Sequence, residues 1–576
     1  MDMSKKTTIT AILLFLIISI IYLNMKTTQI FDSKYSILLT EQFIYNKTID
    51  LSPYFNKNSD SDSDSKPEYL YQIEKIKNKK IYYFPHGSSF LSAPFVYTLN
   101  SLGMKTIENK EYSFTNEIRI QKIISAIITS AISVIIFLTF ILFYNLKKSL
   151  LMTIIFSFAT PLASTLSRAL WSHTWLVLLL SIIILIILKN IKNKTLPNPY
   201  ILATLVAWMY FVRPTSSISI IIISILCALY FKKIFLKYFT IGIFWLLAFI
   251  TYSYYNFETV LPSYYLVNRL AFDNFSTAFI GNLFSPSRGL FVHCFFLIPI
   301  IFLTIKQKNL NEYKLLIYAS FTAITLHLII ISSFPHWWGG HSYGPRFMSD
   351  IIPWLVAIAA LSFNSAKKTN IYLLTILIIT SGIGIFINTR GAYNPKTAEW
   401  NVSPDNIDSN PARLWDWKHP QFLAGVHQFS KEKTLPVLTK KKTIILFNSI
   451  EADSFLIDGW SHAESRFRWT EAKTARFGFN LDNIQPITIS IKLEPFIKSD
   501  KNKQKIIFYI NEKHLQEYNF ESPGLEIITL NISEGHLKNK NIVKIKIPNA
   551  TSPSNMHISD DQRTLGIAVY QIEIKK

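Results

Sequence analysis

Apolar residues fall in long runs from Thr8 to Ile387, and after Pro436 the pattern changes to strict alternation. The runs approach the ~20 residues that cross the hydrocarbon of a bilayer, so they predict an integral membrane protein. The first run, Ile9–Tyr22, follows MDMSKKTT and has no small-x-small cleavage site behind it. It therefore predicts an uncleaved span rather than a removed signal peptide. Further spans are predicted at about 121–144, 149–166, 172–188, 200–212, 216–231, 238–255, 289–305, 315–334, 350–363 and 370–388, about eleven in all. Between the first two lies a polar loop of roughly a hundred residues (25–120), with the acidic tip NSDSDSDSK at 58–66. That tip suits a solvated loop or a weak calcium site. Residues 390–436 are rich in aromatics and proline and predict an ordered, irregular connector packed on the membrane surface. In 437–576 the alternation recurs at 487–494, 505–510, 525–532, 543–547 and 567–574. It predicts about six to eight short strands in a β-sandwich. The fold class expected is an α-helical polytopic membrane domain (1–389) carrying a C-terminal extracytoplasmic β-sandwich.

Charge orients this layout. The chain of 576 residues is 49% hydrophobic and only 17% charged, yet its net charge is +22. In a soluble protein that excess would point to nucleic acid. Here lysines recur in alternate short connectors: Lys147/Lys148, Lys189/Lys192/Lys194, Lys232/Lys233/Lys237, Lys306/Lys308/Lys314 and Lys367/Lys368. The positive-inside rule puts these connectors, with Lys5 and Lys6, in the cytoplasm. Nucleic acid is then an unneeded partner, and the loop 25–120, residues 335–349 and everything after Thr389 are expected on the extracytoplasmic side. The two cysteines, Cys227 and Cys294, both lie in apolar runs and read as small core residues.

The polar constellations all fall on that outer side. PHWWGGHSYGPRFMSD (335–350) packs two Trp, three Gly, two His and an Arg between two apolar runs. It reads either as an interfacial aromatic belt with Arg346 reaching the headgroups, or as a site for an anionic ligand. Asp350 at its end suits a helix cap. Asp32, in FDSKYS just past the first span, is placed to act as a general base at the bilayer surface or simply to be solvated. Arginines recur beside Ser, Pro or Gly at Ser164–His173, Arg213–Ser216 and Phe284–Leu290, and YYFPHGSS (82–89) precedes another apolar stretch. Several outer turns bearing an Arg fit phosphate recognition, where a guanidinium offers a planar fork. No GxxxxGK[ST], GxGxxG, HExxH or GxSxG pattern occurs, which disfavours an ATP-driven pump, a dinucleotide enzyme, a zincin and a serine hydrolase.

These residues carry a resemblance. The layout resembles the GT-C superfamily of membrane glycosyltransferases, and more narrowly a bacterial branch. Its motifs D-S-[RK]-Y, [YF]-P-x-G-x-S, S-R-x-L-W-x-H, [VL]-R-P-T, S-P-S-R-G-L, W-W-G-G-x-x-Y-G-P-R and R-L-W-D-W match Asp32–Tyr35, Phe84–Ser89, Ser167–His173, Val212–Thr215, Ser285–Leu290, Trp337–Arg346 and Arg413–Trp417. The resemblance implies transfer of a sugar from a polyprenyl-phosphate donor to a glycan, lipid or protein. In it Asp32 is the catalytic base, and Arg346, Arg288, Arg168 and His341 hold the donor phosphate. Lys34, Tyr35, His86, His173, Trp338 and Tyr343 line the site or meet the acceptor. Many members show an acidic pair where this chain has Asp32–Ser33, with Glu41 only a distant second acid. No cofactor is implied with certainty, and a divalent cation stays open. The rival expectations are a flippase, or a polymerase or ligase of lipid-linked glycans. In the β domain, Trp460 and Trp469 suit core packing or stacking on a sugar.

Overall fold

The computed structural model describes residues 3–55, 71–108, 111–267, 270–272, 274–306, 311–362, 371–403, 405–426, 435–497, 503–556 and 563–576. The acidic tip at 58–66, Lys308, Lys367 and Lys368 therefore lie outside the described residues. The chain divides into two compact units, Met1–Phe429 and Ser430–Lys576.

The first unit is helical. Its order begins α1 (Met3–Leu23), α2 (Ser36–Glu41), the hairpin β1 (Ile73–Ile76) and β2 (Lys79–Tyr82), α3 (Gly87–Ser101) and the short pair β3 (Ile107–Glu108) and β4 (Glu111–Tyr112). It continues with α4 (Phe114–Ile141), α5 (Leu146–Phe158), α6 (Ser172–Asn193), α7 (Pro199–Val212), α8 (Ser217–Tyr230) and α9 (Lys232–Phe257). The remaining helices are α10 (Phe275–Phe284), α11 (Leu290–His293), α12 (Leu297–Lys306), α13 (Lys314–Ser332), α14 (Ile352–Ser362), α15 (Ile371–Tyr393) and α16 (Lys396–Glu399). Six of them, α1, α4, α6, α9, α13 and α15, are long and apolar enough to cross a membrane. On α1, Ile12, Leu13, Leu16 and Ile17 are about half exposed or more, and on α9 Leu236, Phe244 and Leu247 are exposed as well. Faces this apolar suit lipid rather than water.

Among the described residues the eleven expected stretches correspond to six long helices and a set of shorter ones. The reason is visible in α14, whose eleven residues are all buried. An apolar stretch wrapped by protein reads like a span in sequence, because periodicity is lost when every face is covered. Likewise the predicted span 289–305 is broken into α11 and α12. α4 packs against α1, α5 and α6, and α6 in turn against α7 and α14. The core formed there runs from Ile120 on α4 to Leu361 on α14.

The connector after α15 belongs to this unit as far as it is described. Trp400, Ile407, Leu414 and Ala424 form one buried cluster with Ala278, Trp337 and Trp338. Sequence placed that connector outside the helical domain because it lacks any apolar run.

The second unit holds two six-stranded sheets. One has the order β13-β12-β15-β10-β5 with β7 also on β10, and the other β14-β11-β16-β9-β8 with β6 also on β16. Here β5 is Val437–Leu438, β6 Lys442–Leu446, β7 Leu456–Asp458, β8 Trp460–Ala463, β9 Arg468–Thr470, β10 Thr474–Leu481, β11 Ile487–Pro495, β12 Gln504–Ile510, β13 Lys513–Phe520, β14 Glu526–Ile532, β15 Lys540–Lys546 and β16 Ile567–Lys575. All pairings are antiparallel except β5 on β10. In β11 and β12 every second side chain is buried, and both sheets contribute to one core. β13 escaped the alternation rule because, at a sheet edge, it buries no side chain fully. Trp460 packs on Phe447 and donates Nε1–H to the Arg476 carbonyl at 2.8 Å, so it serves the core. Trp469 lies in an aromatic group with Phe467 and Phe496.

Candidate functional site

The turn after α1 is held open by a buried acid. Glu117 on α4 accepts from the backbone N–H of Tyr35 at 3.0 Å and of Ile37 at 3.1 Å, and from Gln121 Nε2 at 2.9 Å. This clamps Tyr35 at φ 74°, a left-handed conformation that a bulky residue adopts only when its surroundings enforce it. The consequence is a tight turn, Phe31–Ser36, that presents the Asp32 carboxylate. Tyr82 at the end of β2 secures the same turn by donating to the Asp32 carbonyl at 2.5 Å.

Asp32 Oδ2 is 2.9 Å from Arg346 Nη2, and Tyr71 Oη donates to Oδ1 at 3.4 Å. Burial and the Asp32 charge push the Tyr71 phenol up, so it stays a donor. The Arg346 guanidinium lies over Trp171, 4.3 Å from the ring centroid. Asp32 and Arg346, 314 positions apart in sequence (346 − 32), thus meet as an ion pair.

Beside the pair opens a cleft of about 370 Å³, walled by Asp32, Ser33, Ser36, Tyr82, Phe84, Ser88, Ser89, Trp171, His173, Arg213 and Tyr264. The start of α6, the end of α7 and the turn before α14 converge on one side of it. There His173 Nδ1 lies 2.6 Å from Asp350 Oδ1, while Arg213 Nε donates to Asp350 Oδ2 at 2.9 Å and Arg213 Nη1 to Ser172 Oγ at 3.1 Å. His327 Nε2 stands 4.0 Å from the same Oδ2. Asp350 is therefore the acceptor of a buried charge cluster, not the helix cap that its position in the sequence suggested.

The walls of the cleft also carry unsatisfied groups. Among the described residues, Ser33 Oγ, Ser88 Oγ, Ser89 Oγ, Trp171 Nε1 and His173 Nε2 are buried with no hydrogen-bond partner, as is Arg346 Nε beside it. Each orphan costs about 1–3 kcal/mol. Folded proteins leave few such groups, and a set of them around one cleft is what a polar ligand would complete.

The other predicted site residues are placed as follows. Arg168 is fully buried and donates to the Tyr22 carbonyl at 2.5 Å and to Ser167 Oγ at 3.0 Å. Arg288 directs its donors to Trp338 O, Ser287 O, Gly340 O, Asn401 Oδ1 and Gln421 Oε1, tying the 335–345 loop to the connector. Neither lines the cleft, and Arg346 adjoins it through its ion pair with Asp32. His341 contacts Asn406 Oδ1 at 3.0 Å and Asp408 Oδ2 at 3.2 Å, and Trp338 donates to Asp408 Oδ1 at 2.8 Å. Tyr343 is buried and donates to the Ile387 carbonyl at 2.6 Å. Lys34 lies over the Tyr35 and Phe114 rings, 5.0 and 5.1 Å from their centroids. Tyr35 packs against Phe55 and Tyr112.

His86 is held between Tyr252 Oη at 2.5 Å and Tyr82 O at 2.8 Å, where burial pushes its imidazole down to about 4. It lines a second, aromatic pocket of about 320 Å³ that shares Phe84 and Pro85 with the cleft. Glu41 is engaged with Thr106, its Oε1 accepting from the backbone N–H at 2.9 Å, and burial pushes its carboxyl up. No group of three or more His, Cys, Asp or Glu side chains suited to a metal occurs among the described residues.

No protein-family model matches the chain, and no curated protein matches it in sequence. Solved structures similar to part of it include the following two. The carbohydrate-binding module CBM36 in complex with calcium and xylotriose is 16% identical over 23% of this chain and 99% of its own, with a TM-score of 0.16. Dimeric latent PorU from Porphyromonas gingivalis is 8% identical over 24% of this chain and 13% of its own, also with a TM-score of 0.16. Scores this low leave the site's chemistry to be argued from the chain itself.

Sequence reasoning singled out Asp32 and His173, which the fold brings to one cleft, and Arg346, which pairs with Asp32 beside it. It marked the stretches that hold Ser88, Ser89 and Trp171 without naming these as site residues, and it missed Tyr71. Trp171 sits within the S-R-x-L-W-x-H stretch and was readable there; Tyr71 stands in an unpatterned loop and sent no signal.

Proposed function

We propose that this chain is an integral membrane glycosyltransferase of GT-C type, moving a sugar from a polyprenyl-phosphate donor to a glycan, lipid or protein acceptor on the extracytoplasmic face. The observation that carries the reading is the cleft in which the Asp32 carboxylate, paired with the Arg346 guanidinium, meets several unsatisfied polar groups. Asp32 takes the proton from the attacking hydroxyl, whose oxygen bonds to the anomeric carbon as the bond to the phosphate oxygen breaks, inverting that carbon. Arg346 holds the phosphate and stabilises the charge that develops on the departing polyprenyl phosphate. Such a donor is pre-activated, which suits a site where no nucleotide is supplied. The N-terminus is then cytoplasmic and the β-sandwich extracytoplasmic, as the lysine-bearing connectors require.

The test compares cell-envelope glycans by mass spectrometry in wild-type cells, deletion cells and deletion cells carrying Asp32→Asn. One sugar missing from the deletion cells and from those carrying the variant, with the variant still present in membranes, is the expected result. A glycome unchanged by deletion would favour a transporter. Loss of whole repeat units instead of one sugar would indicate a polymerase or ligase.

A further inference from the structure

His173 is almost fully buried yet forms part of the cleft wall, and its two nitrogens have different fates. Nδ1 is held by Asp350, behind the imidazole, and Nε2 is left without a partner. The charge count around it fixes the tautomer. Asp350 and Arg213 already form a neutral pair at 2.9 Å, so a third, cationic member would be an uncompensated buried charge. The imidazole is therefore neutral with its proton on Nδ1, because a carboxylate can only accept. Nε2 is then a bare acceptor on a residue that walls the cleft.

That property separates it from its neighbours. Trp171 Nε1 and Arg346 Nε can only donate, which suits phosphate oxygens. The Ser88 and Ser89 hydroxyls work either way. Nε2 of His173 repels an anion's lone pairs and requires an O–H or N–H on the ligand.

We propose that His173 is the specificity-determining residue of the cleft, its Nε2 accepting a hydrogen bond from a hydroxyl of the sugar carried by the lipid-phosphate donor. This rests on the glycosyltransferase reading and adds to it a division of the cleft. Phosphate lies at the Arg346–Trp171 end, and the sugar's hydroxyls at His173 and the two serines. The charged groups around the imidazole are Asp350, Arg213 and His327, which form one cluster with it, and the Asp32–Arg346 pair, Asp32 and Arg213 both walling the cleft.

The experiment measures binding to the full-length protein in nanodiscs with two kinds of probe. One is a polyprenyl monophosphate without sugar, and the other a panel of polyprenyl-phospho-hexoses and a polyprenyl-phospho-pentose. Wild-type protein should bind at least one sugar-bearing lipid more tightly than the bare phosphate. His173→Ala should erase roughly tenfold or more of that preference while the bare phosphate binds within about twofold of wild type. Asp350→Asn, which frees the tautomer, should weaken the same preference, and His173→Gln, whose amide oxygen accepts, should restore part of it. The Gln variant also keeps the test usable if the Ala variant does not fold. Equal weakening of both kinds of lipid by His173→Ala, or no weakening, overturns the assignment. Wild-type protein that binds bare and sugar-bearing lipids equally does so too. If wild-type protein binds neither kind of lipid, the glycosyltransferase reading itself fails, an outcome distinct from the other three.

Discussion

Asp32 and Arg346 are each other's partners at 2.9 Å, so the guanidinium cannot be lost without changing the carboxylate. A phosphate entering beside them competes for the same cation, and Arg346 is suited to serve both because its Nε has no partner within the protein. Arg346→Lys keeps the charge but not the fork, so transfer should stay at least tenfold below wild type, chiefly through a raised KM for the lipid donor; steady-state kinetics on the donor identified from the glycan comparison checks this. His86 offers a test independent of chemistry. Its folded form holds the proton far more weakly than the ordinary value of 6.5, down to about 4. Below about pH 6.5 the unfolded chain gains a proton that the fold resists, so His86's contribution to stability is intact above that pH and is lost as pH falls toward 4. Wild-type protein in detergent should therefore lose melting temperature more steeply across pH 6.5 to 4 than His86→Gln, which does not titrate.

At the scale of elements, what matters is how closely helices meet around the cleft. α3 opens with Gly87, where an added Cβ would lie 2.4 Å from the Phe211 carbonyl carbon at the end of α7. Backbone cannot yield as a flexible side chain does. Gly87→Ala should lower stability by about 1–3 kcal/mol and displace Ser88 and Ser89, which follow it, so melting temperature and donor affinity fall together. The [YF]-P-x-G-x-S pattern displayed this glycine in sequence, but only packing shows that it lets α3 reach α7. The same scale explains the span count. A buried helix such as α14 and one with exposed apolar side chains such as α9 are both apolar in sequence, and burial alone separates them.

For the whole molecule, the division at Phe429/Ser430 separates a helical unit from a β unit with its own core. The twelve described strands of the β unit leave its apolar side chains packed among themselves, from Leu438 to Ile574. Residues 435–576 expressed alone should therefore fold, giving dispersed amide NMR signals and one cooperative unfolding transition. A molten chain would mean that the core depends on the helical unit.

Run length and alternation by themselves determined the helical and β parts, because apolar surface must be buried or placed in lipid whatever the tertiary arrangement. The strands at 487–494 and 567–574 and the helix 121–144 were legible for that reason, and Asp32 and Arg346 were legible because charged and glycine-rich stretches are rare beside apolar runs. Which residues meet was decided only in three dimensions. Arg288 and Arg168 look like Arg346 in sequence, yet Arg288 spends its donors on carbonyls and side chains of the protein and Arg168 holds the Tyr22 carbonyl and Ser167, while Arg346 faces Asp32. Asp350 looked like a cap and became the anchor of His173 and Arg213. A hydrogen bond depends on the partner within about 3 Å, and partners 137 and 177 positions apart are chosen by packing, not by neighbourhood along the chain.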